Sequence, residues 1–188
     1  MATRAIEIDE AARVLARGGL VAYPTEAVWG LGCDPFDAPA VQRLFDLKQR
    51  SAAKGVILIA AALEQLEPLI DLAALPDARR REVLASWPGP ATWTMPCREH
   101  IPERLRGDHA TLAVRVTAHP VAAALCRAFG RPIVSTSANL AGAPPPRLRG
   151  EIDERVLAGV DGVVEGATGG LERPTPIRDA HSGHPLRL

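Results

Sequence analysis

Four short apolar runs set the limits on this fold: residues 20–23, 56–60, 112–116 and 133–134. Each is too short for a buried helix and is bounded by Pro, Gly or hydroxylic residues, so each reads as a strand. Segments with helical spacing lie between them. Asp9 is placed to cap a first helix, with Ala12, Leu15 and Ala16 on one face and Gly18-Gly19 at its end. Asp37 opens a second, whose apolar face is Val41, Leu44, Phe45 and Leu47. Pro76-Asp77 starts a third, and His119-Pro120 a fourth that Gly130 closes. Residues 91–95 alternate as a strand, 63–70 and 151–157 suggest short helices, and 163–164 and 185–188 suggest further strands. Strands alternating with helices define an α/β class. Their uneven spacing predicts a twisted, mixed open sheet flanked by helices. With no internal repeat or linker, residues 1–188 read as a single domain.

Charge narrows the function. The chain has 22 basic and 22 acidic residues, and aromatics make up 4%. A protein that holds nucleic acid mainly through phosphates is usually basic, and one that stacks bases needs rings. Any RNA contact is therefore expected to be weak, local or shared. No run is long enough to span a membrane. The first residues lack the apolar core of an export signal, and three scattered cysteines (33, 97 and 126) suit a reducing compartment, so a cytoplasmic location is expected.

The candidate chemistry lies in loops at strand ends. Lys48, Arg50 and Lys54 fall within seven residues, between the second helix and the strand that follows it. Converging, they suit a polyanion: Lys as a point charge, Arg as a planar fork. The same cations also suit a solvated turn. Thr25-Glu26 ends the first strand and leads into a loop with Gly30 and Gly32, a plausible pocket wall but no dinucleotide fingerprint. Arg115 sits among apolar strand neighbours; it needs either an anionic partner or an edge position open to solvent. Ser135, Ser137 and Asn139 crowd another strand end, where they suit either ligand hydrogen bonds or an ordinary turn. There is no Walker loop, GxSxG turn, HExxH or paired CxxC. Cys33 reads as a structural thiol.

Taken together, several stretches resemble one family. Residues 23–34, YPTEAVWGLGCD, are similar to the opening signature of the YrdC/TsaC family, the threonylcarbamoyl-AMP synthases. Lys48-Gln49-Arg50 resembles its KxR motif, and Ser137-Ala138-Asn139 its SxN motif. Residues 87–92, 112–116 and 177–179 match in the same order. Six weak motifs in register make a specific signal.

The resemblance implies a YrdC-like domain with a concave central groove. It also implies condensation of L-threonine, bicarbonate and ATP, with Mg2+, to threonylcarbamoyl-adenylate and pyrophosphate. The adenylate would pass to a threonylcarbamoyl-transferase complex that modifies tRNA beside the anticodon, with at most weak tRNA contact by this chain. By position, Lys48, Arg50, Ser137 and Asn139 are the expected catalytic set. Those four, with Lys54 and Thr111, are expected to bind ATP. Thr25, Arg115 and Ser135 are expected to bind L-threonine, with Arg115 on its carboxylate. Glu26 is only a candidate magnesium ligand. Three departures stand out: Ser51 where proline is common, Ile59 where longer relatives carry histidine, and Pro174-Thr175-Pro176 in place of a Ser/Thr-rich turn. The chain is expected to be the short form, without the extra C-terminal domain. Two rivals differ in kind. One is an RNA-binding maturation factor, disfavoured by charge and aromatic content. The other is a hydrogenase-maturation carbamoyltransferase, whose zinc-finger and acylphosphatase segments have no room here.

Overall fold

A computed structural model describes residues 4–187. Among these, ten strands form one mixed sheet. In chain order they are β1 Ala5–Ile6, β2 Val21–Pro24, β3 Trp29–Gly32, β4 Ile57–Ala60 and β5 Thr92–Pro96. Then follow β6 Thr111–Val116, β7 Ile133–Ser137, β8 Gly162–Val164, β9 Ile177–Asp179 and β10 Pro185–Arg187. Their order across the sheet is β1-β8-β2-β3-β7-β4-β6-β5-β9-β10. β8 runs parallel to β1 and β2, β4 parallel to β6, and β5 parallel to β9; the other pairs are antiparallel. The helices are α1 Ile8–Ala16, α2 Ala38–Lys48, α3 Asp77–Ala85, α4 Glu103–Arg106, α5 Pro120–Phe129 and α6 Glu154–Gly159. None of the described helices is long and apolar enough to cross a membrane.

Both faces of the central strands are covered, which is why those strands read as continuous apolar runs. Along β2 and β4 the side chains alternate between two cores. Ala22, Leu58 and Ala60 pack with α2 residues Val41, Leu44 and Phe45. Val21, Tyr23 and Ile59 pack with α1 residues Ala11 and Leu15 and α5 residues Leu125 and Cys126. The second cover is incomplete. Two residues before Ile59, Ile57 is only partly buried and pairs with Ser135 on β7 and Ala113 on β6. Ala113 in turn pairs with Thr94 on β5. This row, Ser135–Ile57–Ala113–Thr94, is sheet surface that α1 and α5 leave open, and it floors the cavity described below.

Some local expectations are corrected. Asp9 lies in the first turn of α1, not at its cap; Glu7 holds that place and makes no side-chain cap bond. Asp37 does cap α2, accepting from the Ala40 amide at 3.0 Å. Residues 29–32 form strand β3, not a glycine loop. The helix expected over 151–157 shifts to α6, after a 3₁₀ turn at Arg149–Glu151. β1, β9 and α4 were not anticipated. Leu188, at the end of the expected last strand, lies outside the described residues.

Candidate active site

The cavity encloses about 590 Å³. That is within the usual range for small-molecule sites, roughly 300–1,000 Å³. Its charged lining residues are Arg50, Lys54, Arg106, Arg115 and Arg187, and no Asp or Glu lines it. Seven hydroxylic residues join them: Thr25, Thr94, Thr111, Ser135, Thr136, Ser137 and Thr175. In a chain with balanced charge, this segregation of cations creates a local positive field suited to anions.

The loop after α2 presents Arg50 and Lys54. Gln49 ends the helix in a left-handed conformation, and Ser51 caps a 3₁₀ turn over Ala52–Lys54. Gly55 follows at φ 58°, and an added Cβ would lie 2.7 Å from the Arg106 backbone. Only glycine fits this close approach. Arg50 Nη2 donates to the Gly55 carbonyl at 3.0 Å, while its buried Nε has no hydrogen-bond partner. Burial lowers the Arg50 pKa below its ordinary value. Lys54 is exposed at the cavity edge.

Lys48 takes a different place. It is 2% exposed and does not line the cavity. Its Nζ donates to the Ser137 carbonyl and, at 2.6 Å, to the Asn139 carbonyl. Burial, and secondarily Arg50, push the ammonium down to about 8. The expected phosphate-contacting lysine is thus a tie behind the wall, holding the end of β7. Asn139 is also outside the lining: its amide donates to the Leu140 and Ala143 carbonyls at 2.9 and 2.6 Å. Ser135 and Ser137, on the same strand, do face the cavity.

Arg115 is 3% exposed, yet it lines the cavity. Nη1 donates to Thr92 Oγ1 at 3.0 Å and to Thr175 Oγ1 at 2.8 Å. Nη2 lies 3.3 Å from Glu26 Oε2. The other Glu26 oxygen accepts from Thr117 Oγ1 at 2.6 Å. Glu26 is therefore the internal countercharge to Arg115, which accounts for how this arginine is buried. Among the described residues no group of three His, Cys, Asp or Glu could hold a metal. Thr25 lines the cavity beside this pair, its hydroxyl donating to the Val28 carbonyl at 2.7 Å.

The structure thus brings Thr25, Arg50, Lys54, Thr111, Arg115, Ser135 and Ser137 around one space. Arg106, Thr175 and Arg187 belong to it and were not expected there. Arg187 Nη2 donates to the Thr175 carbonyl at 2.9 Å, and desolvation, then Arg115 and Arg50, lower its pKa. Ile59 is fully buried under the helices and is not a lining residue. Cys33 is fully buried and its thiol is pushed up by burial, so it is no nucleophile.

Fold and site together define an α/β unit built around a cavity lined by cations and hydroxyls. The chain belongs to the Sua5/YciO/YrdC family, whose model, described as "Telomere recombination", matches residues 13–188. It is 55% identical over 185 residues to the threonylcarbamoyl-AMP synthase of Xanthomonas axonopodis pv. citri (strain 306), covering 98% of this chain and 99% of that one. The fold is similar to P. abyssi Sua5 carrying H234A and Y235A, with a TM-score of 0.88 and 34% identity. That match covers 96% of this chain and 55% of the Sua5 chain. It is also similar to P. abyssi Sua5 complexed with L-threonine, with a TM-score of 0.84 and 34% identity. There the match covers 92% of this chain and 50% of the other, so this chain spans about half the length of Sua5.

Proposed function

We propose that this chain is a threonylcarbamoyl-AMP synthase. It condenses L-threonine, bicarbonate and ATP to L-threonylcarbamoyladenylate and pyrophosphate, for N6-threonylcarbamoyladenosine in tRNA. The observation that carries the reading is the cavity lined by five cations and seven hydroxyls, with no carboxylate. All three reactants carry negative charge, and that lining suits them.

The substrates supply the nucleophile. Threonine's amine and bicarbonate lose water to give a carbamate, whose oxygen attacks the α-phosphorus as pyrophosphate leaves. The protein's share is positioning and charge stabilisation. Arg50 and Lys54, with Ser137 beside them, serve the triphosphate. Arg115 serves the threonine carboxylate, with Thr25 and Ser135 close by. Mg2+ would accompany ATP and would supply charge neutralisation on its phosphates. The adenylate then passes to a separate threonylcarbamoyl-transferase complex. No Phe, Tyr or Trp lines the cavity, so it offers no stacking platform for RNA.

The test is pyrophosphate release with ATP and Mg2+, L-threonine and bicarbonate each present or omitted. Release that requires both is expected; release indifferent to threonine would sink the reading. Arg50→Lys keeps the charge but loses the planar fork, and its activity should fall about tenfold or more. Near-normal turnover of that variant would reduce Arg50 to a point charge.

A further inference from the structure

We propose that Arg106 is a cation with two positions: Glu103 holds it at the rim of the cavity, and the phosphates of ATP take it from Glu103 when the nucleotide binds. This rests on the synthase reading above. Thr111, Ala113 and Arg115 all line the cavity, so one face of β6 runs along it. From Thr111 to Arg115 is about 13 Å of extended strand. Arg115 marks one end of the cavity, and the turns that carry Lys54 and Arg106 mark the other. The two turns are joined through their backbones. The Val56 amide donates to the Leu105 carbonyl at 2.9 Å, and the Asp108 amide donates to the Ala53 carbonyl at 3.0 Å. Leu105 is fully buried and pins α4 to the core. Arg106 therefore stands beside Lys54, at the end away from Arg115.

The backbone is fixed there, but the side chain is held loosely. Arg106 Nη1 donates to the His109 carbonyl at 2.6 Å, and Nη2 donates to Glu103 Oε1 at 3.2 Å. A guanidinium has five N–H groups, so these two bonds leave donors for a further acceptor. The two partners differ in strength. The His109 carbonyl belongs to the main chain leading into β6 and orients one edge of the guanidinium. The Glu103 side chain is 85% exposed, against 28% for Arg106, so water screens their ion pair and it contributes little. A triphosphate carries more charge than one carboxylate and meets Arg50 and Lys54 in the same cavity. Charge-assisted bonds of that kind are the strong ones, and they displace a screened carboxylate from Nη2. Glu103 is thus a weak internal competitor that occupies the arginine until a stronger anion arrives.

The experiment compares steady-state pyrophosphate release by wild type, Arg106→Gln and Glu103→Gln. Both substitutions break the same ion pair, so a merely structural pair would move the two variants in one direction. The inference requires opposite signs. Arg106→Gln should raise KM for ATP about fivefold, because a charged donor to the phosphates is lost. Glu103→Gln should lower it about twofold, because a weak, exposed competitor is removed. KM for L-threonine should move in neither, since Arg115 lies at the far end. Thermal melts show which variants fold, and Glu103→Gln, at an exposed position, carries the sign test alone if Arg106→Gln does not. A KM for ATP that fails to fall in Glu103→Gln, fails to rise in folded Arg106→Gln, or shifts together with KM for threonine overturns the inference and leaves the synthase standing. Wild-type release that ignores threonine overturns both.

Discussion

Glu26→Gln should destabilise the fold by about 3 kcal/mol or more, because it strands a buried guanidinium without its countercharge. The geometry isolates the charge. Arg115 and Glu26 are 3% and 6% exposed, so water cannot screen the loss. Glutamine keeps the shape, and its carbonyl still accepts from Thr117 Oγ1, now 2.6 Å from the carboxylate. The Glu26 backbone carbonyl still takes the Leu171 amide. What disappears is the negative charge 3.3 Å from Arg115 Nη2. Chemical denaturation reads the effect as a lower midpoint at constant slope. Adding Arg115→Met should recover much of the loss, because the double variant buries neither charge. A single variant within about 0.5 kcal/mol of wild type, the usual range for a surface change, would mean that water or a rearrangement already compensates Arg115.

That pair also marks where sequence reasoning reaches its end. Arg115 announced a problem, a cation among apolar neighbours, but its partner lies 89 positions earlier, at the end of another strand, and no local signal pairs the two. Residues 29–32 read as a loop because glycine is depleted in strands. In the fold those glycines are what let β3 fit: an added Cβ at Gly32 would lie 2.8 Å from Tyr23 Cε1 and 2.8 Å from the Val134 carbonyl. Close backbone approach, a tertiary fact, overrode propensity. The longer apolar strands and the helices with a strong stop, such as α5 before Gly130, were legible because one local signal decided each. β1 and β9, of two and three residues, have no such signal. The site divides in the same way. Ser135, Ser137 and Arg115, carried by the legible strands β7 and β6, line the cavity. Arg106 and Arg187 were not anticipated there: Arg106 ends the short helix α4, and Arg187 lies on β10, which joins the sheet edge through β9. Lys48 was found by its neighbours in the chain, but side-chain direction set it behind the wall.

Lys48→Met should cut pyrophosphate release about a hundredfold, because a small displacement of a positioned group is enough to do so. Methionine has similar length and no donor. The Ser137 and Asn139 carbonyls lose their shared partner, and the end of β7, with Ser137 on the cavity, is free to shift. The pH dependence separates this tie from a phosphate-contacting charge. Burial, then Arg50, push the ammonium from its ordinary 10.5 down to about 8 in the fold. Below pH 8 it is charged in both states, and the fold carries the whole penalty of a buried cation. Between 8 and 10.5 the unfolded chain binds more protons, so wild-type stability rises relative to Lys48→Met as pH increases. A neutral amine still has two N–H groups for two carbonyls, so the tie survives deprotonation. Activity normalised to folded protein should then show no basic limb near pH 8 assignable to Lys48. A loss of turnover centred there, abolished when another residue replaces Lys48, would instead put its charge on the substrate. Unfolding free energies of the two proteins at pH 7 and pH 10 give the complementary reading, and a difference that stays flat between them would remove the buried, depressed ammonium from the account.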